Sequence, residues 1–169
     1  MNHLDAFRDI TTFIFDVDGV LTDGTVFIEE DGRLLRTMHV RDGLAMRTAV
    51  NKGYRVAIIS AGKSEGVKIR LEALGIEDVL MGQEDKVAAF DGLVAKYGLN
   101  PDQTLYMGDD LPDYKVMRKV GMPACPADAA QEILELARYI SPVPGGRGCV
   151  RDVIEKTLRL RGDWPIQND

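Results

Sequence analysis

Short apolar, β-branched runs alternate with stretches of helical period along almost the whole chain, and this alternation restricts the fold more than any other feature. TTFIFDV (residues 11–17), RVAIIS (55–60) and TLYMG (104–108) read as buried strands, with weaker candidates in DVLMG (78–82) and MPACP (122–126). Between them, GLAMRTAVNK, SEGVKIRLEALG, DKVAAFDGLVAKYG and PDYKVMRKVG carry the apolar spacing of amphipathic helices. Gly75 and Gly98 stand where two of these helices would end. Strands that are apolar throughout need cover on both faces. The pattern therefore predicts an α/β fold: a doubly wound, mostly parallel sheet flanked by helices on each side.

One segment breaks the alternation. TVFIEEDGRLLRTMHV, residues 25–40, reads as two extended runs about an Asp31-Gly32 turn, a small β-hairpin flap and not a cap domain. After a last strand-like piece at 138–141 come PVPGGRG and the helical CVRDVIEKTLRL. A chain of 169 residues suits one domain, here 1–161, with 162–169 as a loose C-terminal tail.

A formal charge of −6 repels nucleic acid and anionic membranes, so neither is an expected partner. An anionic substrate would need a local cation. Cys125 and Cys149 fit neither a zinc pattern nor a disulfide framework and read as buried free thiols. The polar start MNHLDAFRDI lacks a signal core, and no apolar run is long enough for a membrane span, which points to the cytosol.

In parallel α/β sheets, ligands bind beyond the carboxyl ends of the strands. The first strand runs into Asp16-Val17-Asp18-Gly19, the second ends in Ser60-Ala61-Gly62, and the third ends in Gly108-Asp109-Asp110 with Asp113 just beyond. Lys86 opens the helix after the weaker strand. Taken singly, each has a plain explanation: a solvated acidic loop, a strand-end cap, a helix-surface lysine. Together they deliver acids, a hydroxyl and a cation to one edge. Carboxylates crowded this way repel one another unless a cation sits among them. An all-oxygen donor set that leaves room for water and phosphate suits Mg²⁺.

DVDGVLTDG, IISAG, Lys86 in DKVAAF and GDDLPD occur in the order of the four motifs of haloacid dehalogenase-type phosphatases, and the chain resembles that superfamily over residues 13–113. The flap, VRDG (40–43), ACPADA (124–129) and GGRGCVRD (145–152) extend the resemblance over nearly the whole chain. They liken it to the small, lidless 3-deoxy-D-manno-octulosonate 8-phosphate (KDO 8-phosphate) phosphatases. Ser60-Ala61-Gly62-Lys63 departs from the Thr-Gly second motif common in such relatives, and Lys63 has no assigned role.

The resemblance implies Asp16 as the nucleophile that forms an aspartyl-phosphate, and Asp18 as the acid for the leaving oxygen and then the base for water. An aspartate with an ordinary pKa of about 3.9 is almost wholly ionised at neutrality, so the site must favour protonated Asp18 while Asp16 stays charged. The Asp16 carboxylate, the main-chain carbonyl of Asp18, and Asp109 would hold Mg²⁺. Of Asp110 and Asp113, one would hold a metal-bound water and the other would orient Lys86. Ser60, Gly62 and Lys86 would bind the phosphoryl oxygens. Among Arg41, Arg147 and Arg151, the family match favours Arg41 and Arg147 for the substrate carboxylate.

By the same resemblance, the protein would be a homotetramer whose neighbouring subunit completes the site, acting on a phosphorylated eight-carbon sugar acid in lipopolysaccharide sugar synthesis. Two alternatives stand beside this reading. One is a phosphatase for a nine-carbon ulosonic acid 9-phosphate, and the other is a non-catalytic regulatory subunit of the same fold. His39 carries no chemistry in any of the three.

Overall fold

A computed structural model describes residues 3–166. In chain order the elements are α1 (His3–Arg8), β1 (Thr12–Phe15), β2 (Phe27–Ile28), β3 (Leu34–Leu35), α2 (Val40–Asn51), β4 (Arg55–Ile59), α3 (Glu65–Glu72) and β5 (Asp78–Leu80). They continue with α4 (Lys86–Tyr97), β6 (Thr104–Met107), α5 (Leu111–Met117), β7 (Met122–Cys125), α6 (Gln131–Leu136), β8 (Tyr139–Ile140) and α7 (Cys149–Leu160). Among the described residues, six strands make one sheet in the order β5-β4-β1-β6-β7-β8, every pair parallel.

The strand side chains alternate between two cores. Phe13, Phe15, Val56, Ile58, Leu105 and Met107 pack on one face with Met46, Val153, Ile154 and Leu158 of α2 and α7. Ile14, Ala57, Ile59 and Tyr106 point the other way, against Phe90, Leu93, Val116 and Met117 of α4 and α5. Burial on both sides explains why these strands read as continuous apolar runs.

The helices start and stop where local chemistry allows. Ser64 Oγ accepts the Val67 N–H at 3.3 Å to cap α3, and Asp85 Oδ1 accepts the Ala88 N–H at 2.9 Å to cap α4. Gly98 ends α4 in the left-handed conformation, φ 62°. Two short helices, α1 and α6, have too few turns to show a period, and the sequence patterns do not reveal them.

The flap is a two-stranded antiparallel hairpin, Phe27 opposite Leu35 and Ile28 opposite Leu34. Its turn closes through Glu29 N–H to Arg33 O at 2.9 Å, with Gly32 at φ 85°. The paired part is shorter than the 25–40 span, and α2 already begins at Val40, capped by His39 Nδ1, which accepts the Arg41 N–H at 3.2 Å. Of the expected tail, Asp163 accepts the Tyr54 hydroxyl at 2.6 Å and Trp164 packs against the core, while 167–169 lie outside the described residues. No helix of the described residues is long and apolar enough to cross a membrane.

Candidate active site

The chain leaves β1 toward β4 and β5 on one side, then crosses to β6 on the other, so the strand order reverses about β1. Such a reversal opens a crevice at the carboxyl ends of the strands. Asp16 directly follows β1, and its N–H donates to Met107 O at 3.1 Å, which ties it to β6. Ser60 directly follows β4, and Asp109 lies two residues past β6.

Lys86, the first residue of α4, joins the acids. Its Nζ lies 3.0 Å from Asp16 Oδ1 and 2.7 Å from Asp113 Oδ1. Asp113 Oδ1 also accepts the Tyr106 hydroxyl at 2.7 Å, and its Oδ2 accepts the Asp109 N–H at 3.1 Å. Asp113 is thus fully engaged as the orienting group for Lys86. Asp110 stands exposed at the N-terminus of α5, where its carboxylate accepts the Leu111 N–H at 2.8 Å.

Asp16, Asp109 and Asp113 offer carboxylate oxygens that all lie within 4.8 Å of one another. Burial, then the Asp113 charge, pushes Asp16 up to about 7 against the pull of Lys86. Burial, then the charges of Asp16, Asp113 and Asp110, pushes Asp109 up to about 8. Burial works against the charge on Lys86, yet the Asp16 and Asp113 carboxylates hold it above the ordinary lysine range. One lysine cannot neutralise three carboxylates, two buried and one half-buried. The donor set, all oxygen and in excess of negative charge, therefore fits a divalent cation such as Mg²⁺. Glycine makes the closeness possible: a Cβ on Gly19 would overlap the Asp109 carboxylate, and one on Gly108 would overlap Asp113.

Ser60 is 1% exposed and its Oγ accepts the Gly62 N–H at 3.2 Å. Asp18 lies beside this loop, but not among the carboxylates. What the fold sets there is Arg36, from the residue after β3: Nε at 2.6 Å from Oδ1 and Nη2 at 3.2 Å from Oδ2. Nothing in the motif spacing points to Arg36, and the flap's other arginine, Arg33, turns instead to Glu29 and Asp31.

Arg41 is exposed in the first turn of α2, and Arg147 is exposed with Nη2 3.9 Å from Asp23 Oδ2. The chain by itself buries neither guanidinium. Arg151 turns to Glu155 at 2.8 Å, while its N–H donates to the buried Asp42 at 2.8 Å. The GGRG loop packs on the Asp18 segment: the Gly146 N–H donates to Val20 O at 2.9 Å, and a Cβ at Gly145 would overlap Gly19 O.

A buried Asp–Lys–Asp chain with a third acid at the carboxyl edge of a parallel sheet defines a haloacid dehalogenase-like hydrolase, and the model of that family matches residues 73–148. The chain is 40% identical over 155 residues, 92% of its length and 82% of the relative's, to 3-deoxy-D-manno-octulosonate 8-phosphate phosphatase KdsC of Escherichia coli strain K12. It belongs to the 3-deoxy-D-manno-octulosonate 8-phosphate phosphatase family. The crystal structure of the Yersinia pestis phosphatase of that name superimposes with a TM-score of 0.92 at 36% identity, covering 95% of this chain and 86% of that one. That of the Moraxella catarrhalis phosphatase, in complex with a magnesium ion, a phosphate ion and KDO, gives 0.88 at 34% identity, covering 92% and 90%.

Proposed function

We propose that this protein is a Mg²⁺-dependent phosphomonoesterase that hydrolyses KDO 8-phosphate to KDO and inorganic phosphate, in lipopolysaccharide sugar synthesis, with Asp16 as nucleophile. The observation that carries this reading is the Lys86 bridge, which fixes a buried carboxylate at a strand end with one oxygen 3.0 Å from the ammonium. The substrate follows from family membership and from the KDO and phosphate in the Moraxella relative.

The Asp16 carboxylate attacks phosphorus, forming an aspartyl-phosphate as the bond to the sugar oxygen breaks. Asp18 protonates the departing oxygen, then takes a proton from the water that attacks the phosphoryl group, which releases phosphate and restores Asp16. Lys86, the Ser60 hydroxyl and the Gly62 N–H hold the phosphoryl oxygens in line. The Asp16 carboxylate, the Asp18 carbonyl and Asp109 would hold Mg²⁺, which when bound supplies charge that brings nucleophile and phosphoryl group together. Arg41 and Arg147 are assigned to the substrate carboxylate.

Among the described residues no lid domain covers the site, and the flap exposes Phe27 and Ile28 at 69% and 68%. Large exposed apolar residues on one small element support a homotetramer in which neighbouring subunits cover the flap and complete the site. Two buried free cysteines are in keeping with a cytoplasmic enzyme.

The test is phosphate release from KDO 8-phosphate and from a nine-carbon ulosonic acid 9-phosphate, with Mg²⁺ added and then chelated. A higher kcat/KM for the eight-carbon substrate, lost on chelation, is expected. A preference for the nine-carbon ester would reassign the substrate, and inactivity on every sugar phosphate would leave a non-catalytic protein.

A further inference from the structure

Arg36 reaches into the protein from an exposed flap. Its side chain is 6% exposed, whereas its neighbours Leu35 and Thr37 face solvent. Its Nε and Nη2 meet the two oxygens of Asp18 in the fork by which guanidinium binds oxyanions. Its partner Asp18 is 38% exposed, so water screens one side of the pair, and it brings little net stability for the guanidinium it desolvates. A purely structural role therefore leaves the burial without a reason.

The location supplies one. A Cβ built on Gly62 would stand 3.0 Å from Asp18 Oδ2, 3.5 Å from Arg36 Nη2 and 3.5 Å from Ser60 Oγ. Guanidinium, acid and phosphoryl loop thus converge on one point. A phosphate monoester must approach an edge that carries Asp16, Asp18 and Asp109, with Asp113 buried behind them. Lys86 is shared between two of those acids, so its charge is largely spoken for. A second cation at the mouth would lower the barrier to the incoming anion.

On the phosphatase reading given above, we propose that Arg36 is a substrate-binding residue carried by the flap. In the free protein its guanidinium is occupied by Asp18. When substrate arrives, the fork passes to the phosphoryl oxygens, and Asp18 is released toward the leaving-group oxygen. Asp18 and the phosphoryl group therefore compete for one cation, and the flap is drawn onto the site by the same contact that prepares its acid.

Calorimetric titration of the Mg²⁺-loaded protein with inorganic phosphate tests this. Arg36→Ala weakens phosphate binding about ten- to a hundredfold, the usual weight of a charge-assisted hydrogen-bonded contact, and Arg36→Lys falls between it and the wild type. Asp18→Asn frees the fork and tightens phosphate binding, and the double variant Arg36→Ala/Asp18→Asn loses that gain. Phosphate affinity unchanged within twofold in Arg36→Ala, or an Asp18→Asn gain that survives without Arg36, overturns the proposal. If Arg36→Ala does not fold, Arg36→Lys and Asp18→Asn decide alone: equal phosphate affinity in Arg36→Lys and wild type, with no gain in Asp18→Asn, counts against it. A wild type that hydrolyses no sugar phosphate yet binds phosphate through Arg36 defeats only the phosphatase reading. An active wild type with Arg36-independent phosphate binding defeats only this inference.

Discussion

Asp113 holds Lys86: Oδ1 and Nζ are 2.7 Å apart, with side chains 1% and 2% exposed. The lysine is thereby aimed at Asp16 and kept charged inside the protein. Asp113→Asn withdraws the charge while keeping an acceptor for the Tyr106 hydroxyl. It is expected to lower kcat about ten- to a hundredfold and to lower the unfolding midpoint, since breaking a buried pair is costly. Steady-state kinetics and thermal unfolding check both, and a kcat within twofold of wild type would separate Lys86 from the chemistry.

On the proposed mechanism, Asp16→Asn removes the attacking charge with little change in shape. The expected loss in kcat is about ten-thousandfold or more, with no covalent phosphoenzyme trapped by acid quench and mass spectrometry. Turnover within tenfold of wild type would mean that another group attacks phosphorus.

The acid cluster makes stability depend on pH and metal. Asp16 and Asp109 ordinarily titrate at 3.8, and in the metal-free fold they are raised to about 7 and about 8. Between those values the folded protein keeps protons that the unfolded chain has lost. Their contribution to stability is thus fully present below the ordinary value and is lost as pH rises through the folded values. Mg²⁺ binds the deprotonated carboxylates, so its apparent affinity should rise by about tenfold per pH unit for each proton displaced. Thermal unfolding with and without Mg²⁺ from pH 5 to pH 8 (roughly the span between the two sets of values) should show a growing metal effect. The same effect at both ends would contradict this account.

Gly19 adopts φ 89°, and any Cβ there would run into the Asp109 carboxylate. Gly19→Ala should weaken Mg²⁺ binding at least about tenfold and cost about 1–3 kcal/mol of stability. Gly53 is the control: its φ is 88°, but nothing lies within 4 Å of its would-be Cβ. Gly53→Ala should share the backbone cost and leave Mg²⁺ affinity unchanged in titrations of the two variants. Equal affinities in both would show that the Gly19–Asp109 packing does not shape the metal site.

Much of this architecture is legible from local patterns. TTFIF, RVAII and TLYM are apolar on both faces, and they became central strands because only a covered parallel sheet buries both sides. Gly98 marked the end of α4 because a left-handed C-terminal residue is a local property of glycine. The strand ends then placed Asp16, Ser60 and Asp109 on one edge. The short helices α1 and α6 escaped for the same reason in reverse: six residues hold too little period to be seen.

Amino-acid order by itself determined which side chains would stand at the carboxyl edge, because strand and helix periods are set by near neighbours. The tertiary structure alone decided who pairs with whom. Lys86 with Asp113, Arg36 with Asp18, and the Arg151 N–H with Asp42 join residues far apart in the chain. Such pairings are Coulombic: they depend on distance and on exclusion of water, and neither exists until the sheet and its helices have assembled.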